Sequence, residues 1–268
     1  FYICPTPIGN LKDISERLEN TLSEVDIVYA EDTRVAKKLL SHLNLKKEVH
    51  SYFKGNEKEK ISEILNLLNK DKSIAMISDA GTPLISDPGN MLIKELIKEK
   101  IQIVSIPGPS SVLVALTLSG FDIDKFTFFG FVPKAGRERS YFYKTISELA
   151  HPLVCFTSPK RLKKDLEDFV KNNLENQIVV CRELTKKFES IYRGNAQELL
   201  NDIPTQKYRG EITLVIDKTK NKSAIDINIE ELAKKLIMYE VPKREIAKII
   251  SSLNNEKVNK IYDSIKNL

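Results

Sequence analysis

Two loops in the first half of the chain carry polar residues of the kinds that bind small ligands. The first loop follows an apolar run ending at Ile77 and contains Asp79 and Gly81. Asp79 offers an acceptor to an ammonium group or a ribose hydroxyl, and Gly81 lets the backbone approach a ligand closely. In the second loop, Ser110 and Ser111 precede an apolar helix whose N-terminus favours a carboxylate. One ligand could touch both loops; capping of a turn and of a helix by these side chains is the structural alternative.

The elements around these loops predict the fold class. Strands alternate with helices over the first 120 residues, which indicates a mostly parallel sheet covered on both faces. Parallel strands place both loops at one edge of that sheet, where open α/β folds bind ligands. A second α/β region follows with an antiparallel strand near residues 190–193, so its sheet is predicted to be mixed. We therefore predict two α/β domains, residues 1–120 and 121–220.

The last part of the chain, residues 226–268, is predicted to be a small helical extension that looks like a helix-turn-helix. Its helices are expected to break at Pro242 and at Asn255. The periodicity predicts a core of Ile246, Ile249, Ile250, Val258 and Ile261. Cations outside that core could contact RNA phosphates. A helical cap packed on a dimer is the alternative, and the sequence does not separate the two.

Composition narrows the possible partners and the compartment. The net charge is +5, and the basic surplus lies in residues 132–210, which suits a polyanion such as RNA or, equally, a solvated lysine-rich surface. No apolar run approaches the ~18–20 residues that cross a bilayer, and we expect no membrane partner. The three cysteines and three histidines have no metal-ligand spacing, so we expect no metal and buried thiols in the cytoplasm. No secretory signal is recognisable, and Phe1 in place of methionine suggests that a few residues precede it.

Several common catalytic motifs are missing from the sequence. We find no G-x-x-x-x-G-K-[ST] phosphate loop, no G-x-G-x-x-G after the first strand and no G-x-S-x-G elbow. The loop after the first strand has one glycine and two prolines instead. The absence of these motifs argues against a simple hydrolase or dehydrogenase.

Six short motifs, each at the end of a strand or in the loop after one, carry a family resemblance. They are residues 5–11 (PTPIGNL), 30–34 (AEDTR), 78–83 (SDAGTP), 86–89 (SDPG), 107–110 (PGPS) and 182–186 (RELTK). In this order and spacing they closely resemble the ribosomal RNA small subunit methyltransferase I family of the tetrapyrrole-methylase superfamily. The resemblance covers essentially the whole chain. Residues 157–161 (TSPKR) differ from the commoner ESPHR form.

The resemblance implies a fold, a reaction and a cofactor. It implies two α/β domains that hold S-adenosylmethionine in the cleft between them, in a cytoplasmic homodimer. The implied reaction is 2′-O-methylation of a cytidine ribose in the decoding centre of 16S rRNA, within the small ribosomal subunit. The implied cofactor-binding residues are Pro7, Asp79, Ala80, Gly81, Thr82, Ser110, Ser111, Phe156 and Arg182.

Methyl transfer to a ribose hydroxyl requires an aligned oxygen and help in removing its proton. Candidates for that help are Glu31, Asp32, Glu183 and Lys186, which follow predicted strand ends. Lys186 lies beside Arg182 and Lys187 in the sequence, and neighbouring cations would lower its pKa. Ion pairs that clamp the domains or subunits together are the alternative for all four residues.

The substrate-binding candidates are the basic residues Arg34, Lys134, Arg137, Lys160 and Arg161. Two other functions remain open. A tetrapyrrole or corrin-precursor methylase on the same scaffold would need neither the basic middle of the chain nor the helices after residue 225. A non-catalytic RNA-binding or ribosome-assembly protein would not need the Asp79 loop.

Overall fold

The computed structural model describes residues 1–203, 210–219, 229–254, 257–266 and 268. The chain divides into two compact units, Phe1–Lys218 and Thr219–Leu268. Within the described residues, no helix is both long and apolar enough to span a bilayer.

The first sheet of the larger unit is parallel throughout. Its strands lie in the order β3-β2-β4-β1-β5. They are β1 (Tyr2–Cys4), β2 (Ile27–Ala30), β3 (Glu48–Ser51), β4 (Ile74–Ile77) and β5 (Val104–Ser105), and the helices are α1 (Glu16–Glu24), α2 (Thr33–His42), α3 (Glu57–Leu68), α4 (Asn90–Lys98) and α5 (Ser111–Ser119). Every residue of β2 and β4 is buried, because helices cover both faces of the sheet.

A serine caps the first helix. Helix α1 begins at Glu16, and Ser15 is its cap. The Ser15 hydroxyl accepts a hydrogen bond from the Leu18 N–H at 3.2 Å. Asp13 closes a short 3₁₀ turn that starts at Leu11.

The second sheet of the larger unit is mixed, in the order β6-β7-β10-β8-β9. Its strands are β6 (Thr127–Phe131), β7 (Leu153–Thr157), β8 (Ile178–Arg182), β9 (Ser190–Gly194) and β10 (Ile212–Ile216), and its helices are α6 (Gly136–Ser147), α7 (Pro159–Lys171) and α8 (Ala196–Asp202). Among the described strands of this sheet, only β6 and β7 pair in parallel, and β9 is antiparallel to β8 as predicted. The predicted fold class is confirmed.

Helix α5 joins the two sheets. It follows β5 of the first sheet, yet its buried residues Val112, Ala115 and Leu116 pack against Val154 and Val179 of the second. This position explains why α5 is apolar on nearly every side, since a helix of that kind needs cover on more than one face. Helix α5 therefore brings loops of the first sheet next to loops of the second sheet.

Within its described residues, the smaller unit contains α9 (Ile229–Met238), α10 (Lys243–Asn254) and α11 (Val258–Ile265). Ile246, Ile250 and Ile261 form its core as predicted. Ile249 and Val258, however, are 42% and 37% exposed. The prediction that these two are core residues is wrong, because they lie off the faces that α10 and α11 turn toward each other. The predicted break at Asn255 lies outside the described residues.

Candidate functional site

Hydrogen bonds tie together three loops at the carboxyl edge of the first sheet. Thr6, after β1, and Gly81, after β4, exchange two backbone hydrogen bonds of 2.8 and 3.0 Å. The Thr82 hydroxyl donates to the Pro109 carbonyl, after β5, at 3.0 Å. Gly81 has a φ of +84°, a conformation that glycine adopts without strain. The loops therefore form one connected wall.

A cavity of about 370 Å³ opens between this wall and the second sheet. That volume lies within the usual range for a small-molecule site. The first sheet and its helices contribute Ile8, Glu31, Asp79, Ala80, Gly81, Thr82, Ile85, Ser86, Asp87, Ser110, Ser111 and Val112. The second contributes Phe131, Phe156, Thr157, Ser158, Cys181, Leu184, Gly210, Glu211, Ile212 and Thr213.

Most of the residues predicted to bind a cofactor lie at this cavity. Its lining includes Asp79, Ala80, Gly81, Thr82, Ser110, Ser111 and Phe156. Pro7 lies instead beside a neighbouring cavity of about 180 Å³, which Asp79 also lines. Arg182 is outside the lining, and its guanidinium donates to the Phe188 carbonyl at 3.2 Å. The structure therefore brings seven of the nine residues together at one cavity. Pro7 lies at the neighbouring cavity, and Arg182 lies outside the lining.

Three carboxylates make one wall of the cavity acidic. Partial burial raises the pKa of Glu31, and the charge of Asp79 raises it further. Burial, together with the charges of Glu31 and Asp79, raises the pKa of Asp87 to about 6. One oxygen of Asp79 accepts a hydrogen bond from the Asp32 N–H at 3.0 Å, which fixes this side chain in place. Such a wall favours a cationic ligand and repels an anionic one.

Two helix N-termini meet the same cavity. Ser110 precedes α5 and Ser158 precedes α7, and neither hydroxyl makes the usual capping hydrogen bond to its own helix. Both helices leave N–H groups at their first turn, where a carboxylate is stabilised. A ligand with a cationic part and a carboxylate therefore finds complementary groups at this cavity. The alternative in which the Ser110 hydroxyl caps α5 is not what the structure shows.

Lys186 lies outside the cavity lining, in an ion-pair cluster whose Glu211 is part of that lining. Its Nζ is 2.9 Å from Glu183 and 3.1 Å from Glu211, and Glu183 also accepts the Glu211 N–H at 2.9 Å. Partial burial lowers the pKa of Lys186, but the two carboxylates outweigh it and the net direction is upward. The predicted lowering of this pKa is therefore wrong, because the neighbours in space are anions rather than Arg182 and Lys187.

The same cluster is packed onto the first sheet's edge. A Cβ built at Gly9, after β1, would lie 2.4 Å from Cγ of Lys186 and 2.7 Å from the Thr185 hydroxyl. The backbone of Gly9 thus lies directly against the loop after β8. Glu183 and Thr185 hold left-handed backbone conformations, with φ of 52° and 66°. These contacts favour the clamp interpretation of Glu183 and Lys186.

We expect Lys186→Met to lower stability more than turnover. The variant leaves Glu183 and Glu211 facing each other without a cation, at a cost of about 1 kcal/mol after allowing for solvent screening. Thermal unfolding should move down by about 2–4 °C, while single-turnover rates stay within a few-fold. Lys187→Met is the matched control and should leave the melting temperature unchanged. A turnover loss of a hundredfold with a normal melting temperature would restore Lys186 as a catalytic candidate.

Asp32 and Arg34 form an exposed pair at the start of α2. Asp32 caps this helix, accepting the Arg34 N–H at 2.8 Å, and its carboxylate also pairs with the Arg34 guanidinium at 2.6 Å. The Arg34 side chain, and then its backbone, lower the pKa of Asp32 to about 2. Asp32 is therefore a helix cap and a poor base at neutral pH, whereas Glu31 beside it lines the cavity.

The predicted substrate-binding cations of the second sheet divide into two groups. Lys134, Arg137 and Lys160 are exposed. Arg161 is not free, because it donates to the Pro133 carbonyl at 2.9 Å and lies 3.5 Å from the buried Asp165. The structure thus uses Arg161 to hold the loop that carries Lys134.

Asp87 is the residue that sequence reasoning missed most clearly. It belongs to a recognised motif, residues 86–89, but no role was attached to it. The available signal was a second carboxylate in the loop that follows the same strand as Asp79. Across the described part of the chain, no group of three or more His, Cys, Asp or Glu residues is arranged to hold a metal ion.

Comparisons of the sequence and the fold with known proteins all identify methyltransferases as relatives. A family model described as Tetrapyrrole (Corrin/Porphyrin) Methylases matches residues 1–200. The chain is 41% identical over 214 residues to the Ribosomal RNA small subunit methyltransferase I of Thermotoga maritima, covering 80% of this chain and 96% of that protein. It is 37% identical over 267 residues to the protein of the same name from Haemophilus influenzae, covering 97% and 94%. Its fold is similar to that of a uroporphyrin-III C-methyl transferase from Thermus thermophilus complexed with S-adenyl homocysteine, with a TM-score of 0.57 and 14% identity over 81% of this chain and 97% of that one.

Proposed function

Because the chain belongs to the ribosomal RNA small subunit methyltransferase I family of tetrapyrrole methylases, we propose that it methylates ribosomal RNA with S-adenosylmethionine. The finer proposal is 2′-O-methylation of a cytidine in the decoding centre of 16S rRNA. The observation that carries the proposal is the cavity whose acidic wall and two helix N-termini suit a ligand with both charges. Bound S-adenosylmethionine supplies an electrophilic methyl group.

The residues of the cavity fit this cofactor. Glu31, Asp79 and Asp87 would balance its sulfonium and ammonium charges, and the N-termini of α5 and α7 would hold its carboxylate. Ile8 and Phe156 add apolar surface for an adenine ring. Pro7 and Arg182 are proposed to act on the cofactor only through the loops that they belong to.

Asp87 is the proposed acceptor of the hydroxyl proton. Its carboxylate is partly buried at the cavity, and its pKa of about 6 leaves it ionised at neutral pH yet basic enough to take a proton. Glu31 is the second candidate, since it lines the same wall. We propose structural roles for Lys186, Glu183 and Asp32, because ion pairs hold their side chains.

The remaining parts of the proposal concern the RNA and the assembly. Lys134, Arg137 and Lys160 are proposed to contact RNA phosphates, with Arg34 beside the acidic wall as a further contact. We propose that residues 1–120 and 121–220 act as two domains around the cofactor, that residues 226–268 serve RNA docking or assembly, and that the protein is a cytoplasmic homodimer.

Methyl transfer to purified small ribosomal subunits tests this function. The full chain is incubated with methyl-labelled S-adenosylmethionine and subunits from cells that lack the protein, and digested 16S rRNA is examined by mass spectrometry. We expect one methyl group on the ribose of one cytidine, and no label in subunits from wild-type cells. Label in a tetrapyrrole precursor but not in rRNA would point to the corrin-methylase alternative and contradict the proposal.

A further inference from the structure

Strand β6 contains a bulge beside the cavity. Phe128 pairs with Val154 and Phe131 pairs with Phe156, so β6 has one more residue between these positions than β7. Gly130 lies inside the interruption and has a φ of +75°. A bulge with a left-handed glycine turns the following side chain away from the regular pleat, and such bulges recur next to active sites.

The bulge presents Phe131 to solvent at the cavity. Phe131 lines the cavity but remains 59% exposed. Its ring packs edge-on against Phe156 with centroids 5.4 Å apart at 63°, and Phe156 packs in the same way against Phe128 at 5.2 Å. A neighbour thus fixes the orientation of the Phe131 ring while most of its surface stays open.

A second exposed apolar residue lies on the opposite wall. Ile85 lines the same cavity and is 43% exposed. It is flanked by Leu84 and Ser86, whose φ values of 74° and 69° are uncommon for residues other than glycine. Strain of this kind clusters at ligand-binding sites. The two walls also meet nearby, since a Cβ built at Gly130 would lie 3.7 Å from the Ser86 hydroxyl.

The charges around this pair favour one occupant. Lys134 and Arg137 follow Phe131 by three and six residues, and both are exposed. The acidic wall repels phosphates, so an RNA backbone is steered to the Lys134 loop. Proteins that recognise single-stranded RNA stack its unpaired bases on aromatic side chains.

We propose that Phe131, opposed by Ile85, is the platform on which one unpaired base of the substrate RNA stacks while its ribose faces Asp87. This assignment rests on the proposed function, because it presumes an RNA substrate. An apolar slot open to solvent accepts any base, since every base has a π-face. Phe131 therefore positions the nucleotide, and pairing within the subunit or contacts elsewhere supply the sequence preference.

Steady-state kinetics with unmethylated small ribosomal subunits test the platform. We expect Phe131→Ala to raise KM for subunits at least about fivefold, which corresponds to the low end of the ~1–3 kcal/mol per stacked base. The dissociation constant for S-adenosylmethionine, measured by calorimetry, should stay within twofold. Phe131→Tyr should restore KM, whereas Phe131→Leu, which keeps the packing on Phe156 without a planar ring, should not.

Phe188→Ala is the matched control, since Phe188 is 67% exposed and is not part of the cavity lining. It should leave both constants unchanged. Weakened S-adenosylmethionine binding in Phe131→Ala, equal to the change in KM, would place the ring on the cofactor and overturn the proposal. Unchanged KM in both Phe131→Ala and Phe131→Leu would overturn it too. If the wild-type protein does not methylate subunits, the proposed function itself fails, which the wild-type reaction reveals separately.

Discussion

Replacing Gly81 by valine is expected to abolish S-adenosylmethionine binding. A Cβ at this position would lie 3.2 Å from the Ile8 side chain and 3.6 Å from the Pro109 carbonyl, inside the wall of the cavity. A branched side chain also disfavours the φ of +84°, at a cost of roughly 1–2 kcal/mol. The Ile8 side chain must then shift, and the backbone strain falls on the loop whose Gly81 is hydrogen-bonded to Thr6. Calorimetric titration should detect no binding at cofactor concentrations that saturate the wild-type protein.

Gly120→Val is the matched control for backbone strain. Gly120 ends α5 with a φ of +76°, but a Cβ there meets no atom within 4 Å. This variant should lose a similar amount of stability and still bind the cofactor. If Gly81→Val binds with near-normal affinity, the cofactor does not lie in this cavity.

Replacing Asp87 by asparagine is expected to lower turnover by about 10²–10⁴-fold, the usual contribution of a general base. Cofactor affinity should change much less, because Glu31 and Asp79 remain. In the wild-type protein, single-turnover rates should fall on an acidic limb, since protonated Asp87 cannot accept a proton. This limb should lie below pH 6, because the positive charge of the bound cofactor lowers the pKa that Asp87 has in the free protein. That acidic limb should be missing from the residual activity of Asp87→Asn.

The same substitution should raise stability at neutral pH. The pKa of Asp87 is raised on folding, so its favourable contribution is complete below pH ~4 and is lost as the pH rises through about 6. Asparagine carries no charge at any of these pH values, so the variant does not lose stability as the pH rises through 6. The gain at pH 7.5 is on the order of 1 kcal/mol, because a partly exposed carboxylate is screened by solvent. The cofactor-free variant should therefore unfold about 2–4 °C higher than the wild type, and the difference should shrink toward pH 4.

Glu31→Gln separates the two candidates for the base. Because the charge of Glu31 helps to raise the pKa of Asp87, its removal should shift the acidic limb to lower pH while leaving the rate plateau largely intact. A loss of turnover in Glu31→Gln, with near-normal turnover in Asp87→Asn, would make Glu31 the base instead.

The sequence predicts the convergence of the loops well, for a physical reason. Parallel strands end at one edge of a sheet, so Asp79, Ser110 and Ser111 had to lie close together once the strands were recognised. Phe156, from the second sheet, was placed by family resemblance rather than by spacing. The fold class follows from periodicity in the same way.

The properties that sequence reasoning did not predict depend on how side chains are packed in the folded protein. The pKa of Lys186 is raised by Glu183, three residues away, and then by Glu211, which lies 25 residues away just before β10. The pKa of Asp87 is raised first by burial in the folded cavity and then by the charge of Glu31 in another loop. Phe131 is exposed because of a register shift against β7, and alternation of residues along a strand does not predict a bulge.

Mass mapping of 16S rRNA from cells that lack this protein tests the proposed reaction most directly. We predict that one ribose methyl group on one cytidine disappears, that the wild-type protein restores it, and that Gly81→Val does not. The Gly120→Val variant should restore it as the wild type does. A complete set of 16S ribose methyl groups in cells without the protein would contradict the proposed function.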